Sequence, residues 1–138
     1  MVKTKRMDKL EYIPRDLVSV YVGIKKYIVE VIGTENENEA LLYQIKFPNR
    51  EIQYADKDNI VPIPLTPEIL EKNGWVRVDD EPVDSEIEYF GTEFSNGVNL
   101  FYNILSGTYR YGKHTIMIYL HELQHLFFGL QLKHEMEV

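Results

Sequence analysis

Between Asp16 and Leu65 the chain is written in short alternating runs, and this pattern restricts the available folds more than any other feature. Leu17-Val-Ser-Val-Tyr21 alternates, Gly23 breaks it, and Tyr27-Ile-Val-Glu-Val-Ile32 resumes with β-branched residues. A polar turn from Gly33 to Asn38 follows, and then Leu41-Leu-Tyr-Gln-Ile-Lys-Phe47 alternates again. Pro48-Asn49-Arg50 connects it to Glu51-Ile-Gln-Tyr54. Ile60-Val-Pro-Ile-Pro-Leu65 runs extended, because its prolines fix φ and have no N–H for an interior ladder position. Four or five short strands at this spacing predict a small SH3-like antiparallel β barrel over residues 14–65, with a single open sheet as the alternative.

The pattern then changes. Thr66-Pro67-Glu68 is a helix start, with a threonine cap, proline at the first helical position and an acid in the first turn. Asn73-Gly74 ends it, so residues 66–74 form a bridging helix of about two turns. Trp75-Val-Arg-Val78 opens a second β region. Ile87 to Phe90 and Val98 to Leu105 pair around the polar Thr92–Gly97 connection, a strand begins at Tyr109 and Tyr111, and the last runs from Lys113 to Ile118. A helix over Tyr119 to Lys133 closes the chain. The fold class is α+β: a barrel over 14–65, a bridge over 66–74, and an antiparallel sheet with a covering helix over 75–138. Residues 1–13 read as a loose leader, and Asp79 to Asp84 as a solvated acidic loop.

The 138 residues suffice for one domain or two very small ones. An apolar fraction of 44% and a charged fraction of 27% describe a folded globular chain. The formal charge of -7 excludes a general nucleic-acid binder, which needs a basic face to neutralise phosphates. The one basic cluster, Lys3, Lys5, Arg6 and Lys9, reads as a solvated end. With no cysteine there is no disulfide, thiolate ligand or cysteine nucleophile. No apolar run of export type opens the sequence and none has membrane-spanning length, so a cytoplasmic chain without membrane attachment is expected.

Chemistry concentrates in the last helix. His121-Glu122-Leu123-Gln124-His125 spells H-E-x-x-H, in which histidines one turn apart ligate one Zn²⁺ and the glutamate acts as general base on metal-bound water. The same letters make an amphipathic helix, with Leu120, Leu123, Phe127 and Leu130 toward a core and His121 and His125 together on roughly the opposite side. The third ligand is the difficulty. Phe128 and Gln131 stand where a glycine and a third histidine would be, and His114 is the one further histidine that a strand-to-helix turn could bring round. No Gly-rich phosphate loop is present, and Ser95 and Ser106 have no G-x-S-x-G setting.

The ten tyrosines are the most distinctive feature of the composition. Tyr89, Phe90, Phe101, Tyr102, Tyr109 and Tyr111 crowd one segment, where alternation sends some to each face of a sheet. They read as core and strand-flanking residues or, functionally, as a face that stacks on a ligand or partner. Tyr89, Tyr102, Tyr109 and Tyr111, with Gln124 on the adjoining helix, are the candidate binding residues.

Pro62-Ile-Pro-Leu-Thr-Pro-Glu-Ile-Leu-Glu-Lys-Asn-Gly-Trp75 together with Tyr119-Leu-His-Glu-Leu-Gln-His-Leu-Phe-Phe-Gly-Leu130 resembles a family of small proteins encoded by phages, prophages and mobile elements of gut Bacteroidota. The resemblance covers about a fifth of the chain. In that family the helix commonly reads Tyr-Val-His-Gln-Leu-Gln-Asn, with glutamine and asparagine in the places of Glu122 and His125, a pattern that does not fit a metalloprotease. The resemblance carries no activity over. It implies a non-catalytic accessory protein that binds a host or defence component, either a protein or a small signal nucleotide, in the host cytoplasm. The alternatives are a minimal zinc hydrolase using His121, Glu122 and His125, and an assembly component without a ligand.

Overall fold

A computed structural model describes residues 11–37, 40–78 and 84–138. The basic cluster Lys3, Lys5, Arg6 and Lys9 and the acidic pair Asp79-Asp80 lie outside the described residues. The protein is α+β, with two antiparallel sheets and few helices. It divides into two compact units, Met1–Pro62 and Ile63–Val138. No helix among the described residues is long and apolar enough to cross a membrane.

The first unit contains β1 (Leu17–Val22), β2 (Lys25–Glu37), β3 (Ala40–Lys46), β4 (Ile52–Asp56) and β5 (Ile60–Pro62), with a 3-10 turn at Lys57–Asn59. Their order across the sheet is β4-β3-β2-β1-β5, every pairing antiparallel. No pairing joins β4 to β5 among the described residues, so the sheet is open. Alternation does what the sequence requires of it. Val18, Val20, Val29, Val31, Tyr43 and Ile45 all fall on the buried face. A bulge between Val31 and Gly33 interrupts the β2–β3 register, a device that sharpens local twist. Asp56 Oδ1 accepts from Asp58 N and Asn59 N and so caps the 3-10 turn that leads into β5.

Residues 11–13, expected within a loose leader, are part of this unit. Tyr12 is buried and meets Tyr43 edge to face at 5.4 Å, while the Tyr43 hydroxyl accepts from Glu11 N and Tyr12 N. Nothing local in the sequence marks this contact, because it joins positions about thirty residues apart.

The second unit runs through α1 (Pro67–Lys72), β6 (Trp75–Arg77), β7 (Glu86–Gly91), β8 (Leu100–Asn103), β9 (Thr108–Tyr111), β10 (Thr115–Met117) and α2 (Leu120–Gly129). The sheet is a meander in the order β10-β9-β8-β7-β6. The extended run at Ile60–Leu65 is divided. Ile60–Pro62 pairs with β1, whereas Leu65 N donates to Ile118 O and Leu120 N donates to Ile63 O. Pro64 faces Tyr119 in a bridge that asks for no proline N–H.

In α1, Thr66 Oγ1 accepts from Ile69 N, Pro67 takes the first turn, and Ile69 and Leu70 are buried. Gly74 follows at φ 98°. The final helix is shorter than the expected Tyr119–Lys133. Gln131 turns left-handed at φ 61°, Leu132 N donates to Phe127 O and Gln131 N to Phe128 O, a Schellman closure with glutamine where glycine is usual. The glycine that would have signalled the stop stands two places earlier, at Gly129.

Candidate functional site

Helix α2 sets out the residues of the zinc-type motif. Leu120, Leu123 and Phe127 point into the core, and Phe127 meets the Trp75 ring at 5.7 Å between centroids. His121 and His125 lie together as helical spacing predicts, their rings 5.4 Å apart and edge to face. His121 is buried at 6% exposure, and its ring stacks on Tyr119 at 5.8 Å. His114 stands apart in the exposed turn between β9 and β10. Among the described residues no group of three or more His, Cys, Asp or Glu side chains is arranged to hold a metal ion.

Glu122 has a definite task. Its Oε1 accepts from Ile118 N at 2.8 Å and from Tyr119 N at 2.9 Å, just ahead of the helix. This is the acidic half of a capping box: a carboxylate at the third helical position reaches back to main-chain amides that have no helical partner, at the positive end of the helix dipole. The usual sequence signature has Ser or Thr three residues ahead; here Tyr119 stands there, which hides the box from a motif reading. Glu122→Ala is expected to destabilise the second unit by about 1–2 kcal/mol in chemical denaturation, since two amides lose a charged acceptor. Glu122→Gln keeps a carbonyl oxygen for them and is expected to cost less than half as much.

The aromatic candidates are divided between core and surface. Tyr89 and Tyr109 are 2% and 1% exposed, and Tyr102 and Tyr111 are half-buried. Tyr102 lies opposite Tyr109 in the β8–β9 ladder and stacks on it at 4.7 Å. Burial, with the Tyr102 and Tyr89 hydroxyls adding to it, holds the Tyr109 hydroxyl well above the usual tyrosine range. On the opposite face, Phe101 lies beneath the Arg110 guanidinium at 4.5 Å, and Arg110 makes a two-pronged bond to Glu86. The Arg110 hydrogen bond keeps the Glu86 carboxyl below the ordinary carboxylate value.

Gln124, also a candidate, is fully buried, and its Nε2 donates to His134 O at 3.0 Å. This bond leads to a feature that the sequence did not announce. Residues 133–138 form no helix or strand and border an open cavity of about 650 Å³, shared with Glu71–Gly74 at the end of α1 and with Glu93, Phe94 and Asn96 of the β7–β8 connection. Asn73 Nδ2 donates to Glu137 O and its Oδ1 accepts from Glu137 N, both at 2.8 Å, while Lys72 Nζ donates to Val138 O. Asn73 was legible only as a helix stop; its second task spans 64 positions, beyond any local pattern.

Comparison with protein-family models, with curated proteins and with solved structures found no match.

Proposed function

We propose that this chain is a non-catalytic binding protein of the phage or mobile-element accessory kind, acting in the host cytoplasm on a protein component of the host or its defences. The observation that supports it most is the engagement of Glu122. The side chain that a zinc hydrolase needs as general base accepts two main-chain amides and starts a helix instead. An open cavity lies elsewhere, beside the C-terminal segment. Its lining carries four carboxylates, Glu71, Glu93, Glu135 and Glu137, against Lys72 and Lys133, an arrangement that repels phosphate and favours a protein over a signal nucleotide. We further propose that the first unit is of the SH3-like kind. Its strand order β4-β3-β2-β1-β5, with a 3-10 turn before the last strand, supports this reading and suits a small adaptor.

The test is capture from host cells alongside a thermal-shift panel of cyclic and linear nucleotides. A stoichiometric protein partner, with no nucleotide shift, is the expected result. A saturable nucleotide shift, which at a hundredfold excess over Kd is worth about 2.7 kcal/mol, would replace this reading with a nucleotide sponge.

A further inference from the structure

The hairpin of β1 and β2 stands clear of its sheet at the turn end. Pairing of β1 with β5 stops at Val20, opposite Ile60, and pairing of β2 with β3 starts only at Glu30, opposite Lys46. The outermost pairs, Tyr21 with Lys26 and Val22 with Lys25, therefore have no ladder neighbour on either side. All six residues from Tyr21 to Lys26 are exposed, and Ile24 at the apex is fully so. Gly23 takes the turn at φ 66° with open space around it, and glycine is favoured at this first central position of a tight hairpin. Alternation places Val22 on one face of the tip and Tyr21 on the other, so the tip is apolar on both sides and at its end. Each has a lysine directly across the ladder, and Lys25 is drawn back over the Tyr27 ring at 5.3 Å. No carboxylate occurs between Leu17 and Val29, in a chain whose formal charge is -7. Neither lysine makes an ion pair among the described residues.

We infer that this tip is a knob that enters an apolar pocket with an acidic rim on a partner protein. The inference rests on the binding reading above and gives it a contact surface. The fold has no use for isoleucine at position 24, since the residue after the turn glycine is ordinarily Asn, Asp or Ser. An aliphatic side chain left wholly in water forgoes the stabilisation that its burial would bring. Seated in a pocket it gains that stabilisation at low entropic cost, because the two-strand frame already holds it in place. The lysines behind the apex then meet the rim, and they steer the tip of an otherwise acidic chain toward a negative site. A bilayer is the poorer fit. One isoleucine and two half-exposed neighbours bury far fewer methylenes than a myristoyl chain, itself only a marginal anchor. The net charge of -7 is also repelled by anionic lipid.

The full chain is titrated with neutral and with carboxymethylated β-cyclodextrin, cavities for one aliphatic side chain without and with an acidic rim, and followed by amide chemical shifts. Saturable shifts centred on residues 21–26 are expected, about fivefold tighter for the carboxymethylated form, the worth of two exposed ion pairs. Ile24→Ser abolishes them, and Lys25→Gln with Lys26→Gln removes the preference. Ile24→Ser unfolds at the same denaturant concentration as the parent, so a lost signal is not lost folding. In host cells, the photo-cross-linker benzoylphenylalanine in place of Tyr21 gives one discrete protein product that Ile24→Ser abolishes. The same probe in place of Leu105, which is 81% exposed on another turn, gives none. Equal binding of the two cyclodextrins, shifts or cross-links indifferent to Ile24→Ser, or tip shifts on phosphatidylglycerol vesicles alone would overturn the inference. A product from position 105 and none from position 21 would also overturn it and leave the binding reading standing, whereas no product from either would remove both.

Discussion

Trp75→Ala is expected to cost the second unit about 3–5 kcal/mol, the range for removing a large aromatic side chain from a core. Trp75 is the only tryptophan and is 2% exposed, although it sits on the three-residue edge strand β6. Its ring meets Phe127 of α2, and its Nε1 donates to Val98 O at 2.6 Å. The substitution therefore opens a cavity between strand and helix and also leaves a buried carbonyl without its donor, and the two costs add. Trp75→Phe separates them, because it restores most of the volume and none of the hydrogen bond; a loss of about 1–3 kcal/mol is expected. Chemical denaturation followed by circular dichroism reads both, since the fluorescent probe leaves with the residue. A Trp75→Ala loss below about 1 kcal/mol would mean that helix and sheet are not joined through this side chain.

Gly91→Ala is expected to match it, with a loss of at least about 3 kcal/mol, at the upper end of what overpacking costs. A Cβ at position 91 would fall on Val98 O, 2.5 Å from Val98 N and 2.6 Å from Gly97 C. These are main-chain atoms, so no side chain can swing aside. β7 would have to move away from the turn, breaking the bond from Gly91 N to Asn99 Oδ1 and straining the Trp75–Gly91 pairing. Gly97→Ala is the control. Its Cβ would meet nothing within 4 Å, so it has only the backbone cost of φ 70° to bear, about 1–2 kcal/mol. Equal losses at the two positions would show that the close approach at Gly91 relaxes freely.

How far the sequence could be read follows from the range of the signals. Neighbours a few positions apart decide several outcomes as read, although the polar turn expected over Gly33 to Asn38 is strand as far as Glu37. Thr66-Pro67 starts a helix and Asn73-Gly74 stops it, and the alternation of Val18 with Val20 and of Tyr43 with Ile45 sets which face is buried. Readings failed where a distant partner decides. Tyr12 joins the first core through Tyr43, and the run Ile60–Leu65 divides because Ile63 and Leu65 find partners at Leu120 and Ile118. Gln131 ends α2 in a conformation that glutamine rarely adopts, so nothing in its identity foretold it.

The candidate site was legible in its letters and not in their use. His121 and His125 do come together, as their spacing required. The letters at 118–122 also permit a capping box, and only the folded chain distinguishes a carboxylate turned back to the Ile118 and Tyr119 amides from one held over a metal. The Asn73 clamp on Glu137 had no sequence signature at all, because it reads main chain.

The proposed function requires that the histidines and glutamate of α2 build a helix and not a catalytic zinc centre. Elemental mass spectrometry of the untagged chain, alongside His121→Ala, tests it most directly. Well under one zinc per chain, unchanged by the substitution, is the expected result. One tightly held zinc per chain, lost in His121→Ala, would contradict it and return Glu122 to the role of a hydrolase base.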